Sequence, residues 1–173
     1  QMILKFLLLF WTTSVAVGYD SLPNGCGNCG VKFPFRADDW ASADTCGLRK
    51  VVMDWVAGGS SKTAVTAQYG AIEDWDVADV TDLTCIFTNK LQSQAFTFNA
   101  DLSKWQVDKV TTLHRTFEGC ENFNSDLSKW QVGKVTTLFE TFKRNFVFNG
   151  DVSTWNVDKV TTLHQTFSSA TLF

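Results

Sequence analysis

Carboxylates, imidazoles and thiols recur in this chain at spacings that invite a chemical reading. Asp101, Asp126 and Asp151 stand at one fixed interval, each two positions after an asparagine, Asn99, Asn124 and Asn149. Stacked carboxylates can hold calcium, an ion that takes about 6 to 8 oxygen ligands. This ladder supplies a single acid per interval, so the expected role of these short polar side chains is to bond the backbone of a turn. Calcium at Asp101, Asp126 and Asp151 is the alternative. His114 and His164 share one repeat position, with Phe139 between them. Parallel segments stack about 4.8 Å apart, which puts the two imidazoles two rungs apart, too far to share a zinc whose bonds are about 2.0 Å. Both are expected as exposed polar residues. Cys26 and Cys29 form a C-x-x-C with no second pair to complete a zinc set, and the following Gly30-Val31-Lys32-Phe33-Pro34 does not resemble a thioredoxin helix start. No nucleophile–base pair, phosphate-binding glycine loop or paired-carboxylate signature stands out. The expectation is a protein that is not an enzyme and uses no cofactor and no resident metal.

The positions of these residues follow from a repeat. Trp105, Val107, Val110, Thr111, Leu113 and Phe117 recur as Trp130, Val132, Val135, Thr136, Leu138 and Phe142, then as Trp155, Val157, Val160, Thr161, Leu163 and Phe167. A fixed period of this kind is the signature of a solenoid. Trp75, Val77, Val80, Thr81, Leu83 and Phe87 fit the same frame, with five extra residues before Trp105 that are expected to bulge near residues 89–95. Within a coil, Leu102, Trp105 and Val107 have the spacing of a leucine-rich-repeat strand, and Val110, Leu113 and Phe117 follow at helical steps. The predicted fold class is therefore an α/β repeat: a leucine-rich-repeat-like solenoid of short parallel strands and helical turns with an N-terminal helical cap. Seven apolar side chains per coil cannot offset the entropy of ordering the whole coil, so stacking is obligatory.

Three regions are expected. Residues 1–18 read as a signal peptide, with Lys5 before an apolar run over 6–17 and small residues at Ala16 and Gly18. Without that segment no stable transmembrane helix is expected. Residues 19–70 form a cysteine-containing loop and a two-helix cap. Leu48, Val51, Val52, Trp55 and Val56 mark one helical face ended by Gly58-Gly59, and a second helix starts at Ser61 and closes at Gly70. Residues 71–173 form four coils. Phe173 falls one full period after Phe148, so either further coils follow or the last edge docks against a partner. Export favours oxidation of cysteines. Cys26, Cys29 and Cys46 are the disulfide candidates, with Cys46 bonded to one of the other two, while Cys85 and Cys120 are expected as buried thiols.

The segments F-N-A-D-L-S-K-W-Q-V (98–107), F-N-S-D-L-S-K-W-Q-V (123–132) and F-N-G-D-V-S-T-W-N-V (148–157) resemble the F-N-x-D-[LIV]-S-x-W-x-V units of BspA-like leucine-rich-repeat surface proteins. The resemblance covers residues 71–173. It implies an exported solenoid engaged in adhesion or protein binding, and it assigns no catalytic residue. Thr111-Thr112-Leu113 stands where many members carry V-T-x-M, and the first coil lacks the F-N-x-D spacing to Trp75.

With a net charge of −3 among 173 residues, and eight acids against eight bases over 101–167, the chain carries no nucleic-acid footprint. The expected function is that of a secreted or cell-surface binding module for a protein or extracellular matrix partner. A structural accessory subunit of a larger membrane-associated assembly, on the lumenal or extracellular side, is the alternative, which would place the chain in an organelle lumen or outside the cell. If Trp105 and Val107 point inward, the neighbours point out. The predicted binding face is Asp74 and Asp76; Lys104, Gln106 and Asp108; Lys129 and Gln131; and Thr154, Asn156 and Asp158.

Overall fold

The computed structural model describes residues 45–88 and 98–173, with side chains from Gly47 onward. The chain divides into two units, Gln1–Phe33 and Pro34–Phe173, and all described residues belong to the second. The proposed signal segment, Cys26, Cys29, the side chain of Cys46 and most of the expected insertion lie outside them.

Two helices precede the repeats. Helix α1 (Thr45–Val56) buries Leu48, Val51 and Val52 of the predicted face, with Trp55 and Val56 partly buried, and Met53 besides; a Lys50–Asp54 ion pair at 2.8 Å lies along its outer side. Gly58, at φ 73°, turns the chain. Helix α2 (Gly59–Tyr69) begins two residues before the expected cap at Ser61 and has no side-chain cap. It buries only Val65 and ends at Gly70, which takes φ 77° and donates its N–H to the Thr66 carbonyl. A single 3-10 turn at Ile72–Asp74 leads into the first coil. Trp55 of α1 meets Phe98 edge to face at 6.1 Å. No helix among the described residues is long and apolar enough to cross a membrane.

The repeats do not form the expected α/β solenoid of strands and helical turns. The described residues contain the two α-helices, the 3-10 turn and no β-strand, only isolated parallel bridges at Asp82–Thr112, Thr112–Thr137 and Thr137–Thr162. Residues 102–107, the expected strand, run through tight turns: Trp105 N–H bonds Leu102 O at 3.1 Å, and Val110 N–H bonds Val107 O at 3.0 Å. The bridge falls instead at Thr112, inside the expected helical turn. Apolar residues at steps of three and four fit a helix, and they fit equally a chain that bridges once and then bends.

Two features keep each bridge isolated. In a parallel pair, Leu113 would donate to Thr137 O and accept from the amide of Phe139. The first bond is present at 3.2 Å. The Phe139 amide instead bonds its own Thr137 hydroxyl at 3.2 Å, and Leu113 O accepts from the Thr141 hydroxyl at 2.9 Å. Local threonine bonds thus compete with the ladder. The same substitution occurs at Leu83, through Thr116, and at Leu138, through Thr166. Second, Cys85, Arg115, Glu140 and Gln165 occupy one repeat position with φ of 54–55°. Left-handed backbone costs a non-glycine residue about 1–2 kcal/mol, and it turns the chain away from strand geometry at the same place in every coil. Arg144 and Ser169, equivalent to Gly119, are left-handed too.

Between coils the order is nevertheless strict. Arg115, Phe117 and Gly119 donate their amides to Phe139, Thr141 and Lys143 at 2.8–2.9 Å. Glu140, Phe142 and Arg144 repeat this toward His164, Thr166 and Ser168. Rings stack in columns that are buried up to the last coil: Phe87, Phe117, Phe142 and the partly buried Phe167 succeed one another at 5.3–5.4 Å, and Phe98, Phe123, Phe148 and the exposed Phe173 at 5.6–6.2 Å. Each tryptophan nitrogen reaches back to a carbonyl of the preceding turn, as Trp130 does to Leu102 O at 3.0 Å and Trp155 to Leu127 O at 3.1 Å. In the fourth coil, Val157, Leu163, Leu172 and Phe173 are exposed.

Thr141→Val keeps the shape of a fully buried side chain and leaves Leu113 O without its hydroxyl donor. The expected loss is about 1–3 kcal/mol in urea unfolding. Thr136→Val, which removes an exposed bond to Thr111 O, is expected to cost less than half as much; equal costs would show that the buried carbonyl is not the constraint.

Candidate functional site

The surface that the repeat displays most regularly is the strip from position 104 to position 109 of each coil. Two turns build it. One is closed by the Val110 amide on Val107 O, with equivalents at Val135–Val132 and Val160–Val157; in the other, Asp101 Oδ1 accepts the Ser103 amide at 2.9 Å, with the same bond at Asp126–Ser128 and Asp151–Ser153. Asn99 and Asn124 pass a bond to the next coil, each accepting the amide of the following asparagine at 2.9 Å. The asparagines and aspartates therefore bond turn backbone. The backbone and side chain of Ser103 hold Asp101 below the usual carboxylate range, and the hydroxyl and amide of Ser128 and Ser153 do the same for Asp126 and Asp151. No group of three or more His, Cys, Asp or Glu among the described residues is placed to hold a metal ion.

Trp105 and Val107 point inward and their neighbours outward, although no strand forms there. All ten predicted face residues, Asp74, Asp76, Lys104, Gln106, Asp108, Lys129, Gln131, Thr154, Asn156 and Asp158, are exposed. Coil 1 differs in charge from the others. Asp74 and Asp79 stand where coil 2 has Lys104 and Lys109, and they pair with those two lysines across one rung. Hydrogen bonding and charge from Asp74 raise the Lys104 ammonium, and Asp79 raises Lys109 in the same way. Lys109 and Asp79 are absent from the predicted face; the inverted charge at one repeat position was the signal that could have found them.

A second set of charged groups is buried. Arg115 and Glu140 share a repeat position, and Arg115 Nε bonds Glu140 Oε2 at 2.6 Å. Glu118 and Lys143 share another. Lys143 Nζ pairs with Glu140 Oε1 at 2.5 Å, and Glu118 lies 3.6 Å from Arg115. Opposite charges thus alternate between coils 2 and 3 at both positions. Burial acts to raise the Glu140 carboxyl, but hydrogen bonds and charge from Lys143 and Arg115 outweigh it and hold the group below its ordinary range. Sequence reading counted these charges without pairing them, because residues one full period apart are brought into contact only once coils are stacked in register.

The histidines divide. His164 is exposed as expected, while His114 is half-buried and stacks on Phe139 at 4.9 Å, with Phe139 stacking on His164 at 5.1 Å. Burial, then the Arg115 charge, lowers the His114 imidazole. The rings form one column and no pair of ligands. Of the cysteines, Cys120 is a free, fully buried thiol that donates to Phe87 O at 3.0 Å, and burial pushes its ionisation up. Cys85 departs from expectation: it is disulfide-bonded. The candidates Cys26, Cys29 and Cys46 lie outside the described side chains.

The model of a family described as "Mycoplasma protein of unknown function, DUF285" matches residues 59–173, more than half the chain, which makes the chain a member of it. No curated protein and no solved structure matches the chain.

Glu140→Leu removes the carboxylate that Arg115 and Lys143 both bond and leaves Glu118 as the acid beside Arg115, and a loss of about 3 kcal/mol, the low end for a broken buried pair, is expected. Arg115→Met combined with Glu140→Leu should cost less than Glu140→Leu alone; chemical unfolding checks both. Glu140 has its ordinary value near 4.5 when unfolded and a lower one when folded. Its stabilisation is therefore complete above about pH 4.5 and is lost as pH falls through the folded value. Glu140→Gln should flatten the pH dependence of stability in that window, and an unchanged slope would contradict the pairing.

Proposed function

We propose that this chain, which belongs to the DUF285 family, is a non-catalytic binding platform, secreted or displayed at a cell surface, that engages a protein or extracellular matrix partner through the strip at positions 104–109. The observation that carries this reading is the contrast between the two kinds of polar group. Threonine hydroxyls, indole nitrogens and the Arg115–Glu140 pair are spent inside the stack. The strip residues stay exposed and recur at one position per coil. Extended surfaces built from many repeats are how stacked-repeat proteins bind partners.

Two further points support it. A disulfide at Cys85 fits an oxidising compartment, since cytosolic thiols are kept reduced. The F-N-x-D…W-x-V segments resemble those of BspA-like surface proteins, whose members are exported and linked to adhesion. The strip also has a set backbone: turn bonds within each coil, Trp105 N–H to Leu102 O and Val110 N–H to Val107 O, hold its two ends, which lowers the ordering cost of binding.

The test is a comparison of two immobilised full-length chains, the wild type and an Asp76→Lys/Lys104→Glu/Lys129→Glu variant with an unchanged melting temperature. Both are exposed to proteins and matrix polymers released from the surface of the source cells. The wild type is expected to retain components that the variant loses, and an antibody to the chain should label unpermeabilised cells. Identical retention by both chains, or labelling that requires permeabilisation, defeats the proposal.

A further inference from the structure

The lysines of the strip are not equivalent. Lys104 and Lys109 reach back one rung to Asp74 and Asp79. For Lys129, Lys134 and Lys159 the residue one rung back is another lysine: Lys104, Lys109 and Lys134. These three make no ion pair among the described residues, and all are exposed. Charge inversion in coil 1 thus pairs the first two lysines and leaves three on coils 3 and 4 without an ion pair among the described residues, with Asp126 close enough to Lys129 to feel its charge and Asp158 beside Lys159.

Gly133 stands in the same coil as two of these lysines. Coils 2 and 4 carry Asp108 and Asp158 at this position, beside Lys109 and Lys159. Glycine is not demanded by the backbone here, as Gly133 is not among the residues of positive φ. It is not demanded by space either: an added Cβ would lie 4.0 Å from the Asn156 Cβ, an ordinary contact. The fold would accept an acid, yet the acid is missing at the coil whose two flanking lysines, Lys129 and Lys134, make no ion pair among the described residues, while coil 2, whose Lys104 and Lys109 are paired, keeps Asp108.

The strip also shows what kind of anion fits. The two lysine columns flank a column of exposed amides, Gln106, Gln131 and Asn156, groups that both donate to and accept from hydroxyls. The apolar residues between them, Trp105, Val107, Trp130 and Val132, are buried. Protein partners draw most of their binding energy from aromatic and apolar anchors; coils 2 and 3 expose none in this strip, and coil 4 exposes Val157 alone. Cations beside amides, repeated along one axis, match a linear polymer rich in hydroxyls and acids.

We infer that Lys129, Lys134 and Lys159, around Gly133 and the Gln106–Gln131–Asn156 column, bind a linear acidic glycan, carboxylated or sulfated. The inference rests on the binding-platform reading and narrows its partner from matrix in general to one polymer class.

The full chain is titrated with polymannuronate, dextran sulfate, neutral dextran and poly-L-glutamate at low and high salt. At least one acidic glycan is expected to bind, more weakly at high salt, and the polymannuronate and dextran sulfate arms tell carboxylate from sulfate recognition. Exposed ion pairs contribute modestly each, so Lys129→Gln/Lys134→Gln/Lys159→Gln together should weaken binding about tenfold, and Gly133→Asp about threefold, with melting temperatures unchanged. Lys104→Gln/Lys109→Gln, which removes lysines already paired, should have the smaller effect. The inference is overturned if no acidic glycan binds, if the triple variant binds like the wild type, or if poly-L-glutamate binds as tightly as the glycans, which would make an acidic protein the partner. Failure in any of these ways, alongside retained components lost by the Asp76/Lys104/Lys129 variant, would remove the glycan and leave the platform standing.

Discussion

Everything else in the repeats depends on one requirement: the backbone groups of each coil must be satisfied by the next. A buried carbonyl or amide without a partner is costly, and a single coil closes too few bonds within itself. The answer is the same at each junction between successive coils. Amides at 113, 115, 117 and 119 donate forward to the following coil, while threonine hydroxyls and indole nitrogens reach back to carbonyls of the preceding one. Because side chains supply half of this traffic, the backbone is free to bend at Arg115 and Gly119, and the stack holds without strands.

The core that this arrangement encloses is aromatic, and its flat rings stack on their own equivalents one coil away. Phe117 contacts Phe142 at 5.4 Å and, within the same layer, Phe123 at 4.2 Å. Offset stacking of this kind adds to the burial each ring already provides. It also locks register, since a slip by one residue would oppose a ring to a threonine. The Arg115–Glu140 and Glu118–Lys143 alternation acts in the same sense: identical charges at these positions would face each other across a rung in a desolvated setting. The coils are thus similar enough to stack and different enough to stack in one order.

Charge placement links this interior to the proposed role. The same rule of opposite charges on neighbouring rungs operates on the surface between coils 1 and 2 and then stops. Lys129, Lys134 and Lys159 continue the lysine columns without matching acids. Interior pairs hold the stack, and the exposed surplus is what the strip offers to a partner.

The sequence by itself determined the period, the inward residues and the outward ones. Trp105, Val107, Leu113 and Phe117 with their equivalents in the first three coils were legible as core because apolar identity at a fixed interval survives any backbone path, whereas Val157 and Leu163 of the fourth coil are exposed; the exposed set 104, 106 and 108 followed by alternation. The face of α1 and the stop at Gly70 were legible for the same local reasons. What the sequence could not decide was the path between those positions. Val110, Leu113 and Phe117 fit a helical turn and Leu102, Trp105 and Val107 fit a strand; the first assignment failed because hydrogen bonds to neighbouring coils outweighed local preference, and the second because local turn bonds at Leu102 and Val107 bend the chain. The left-handed residues Arg115 and Glu140 carry no local sign of that conformation, since it is imposed by bonds from the coils stacked on either side. Pairing was likewise closed to sequence reading. Cys85 as a disulfide partner, Thr141 as the donor to Leu113, and Arg115 with Glu140 are contacts between distant residues, and only the tertiary stack brings them within bonding distance.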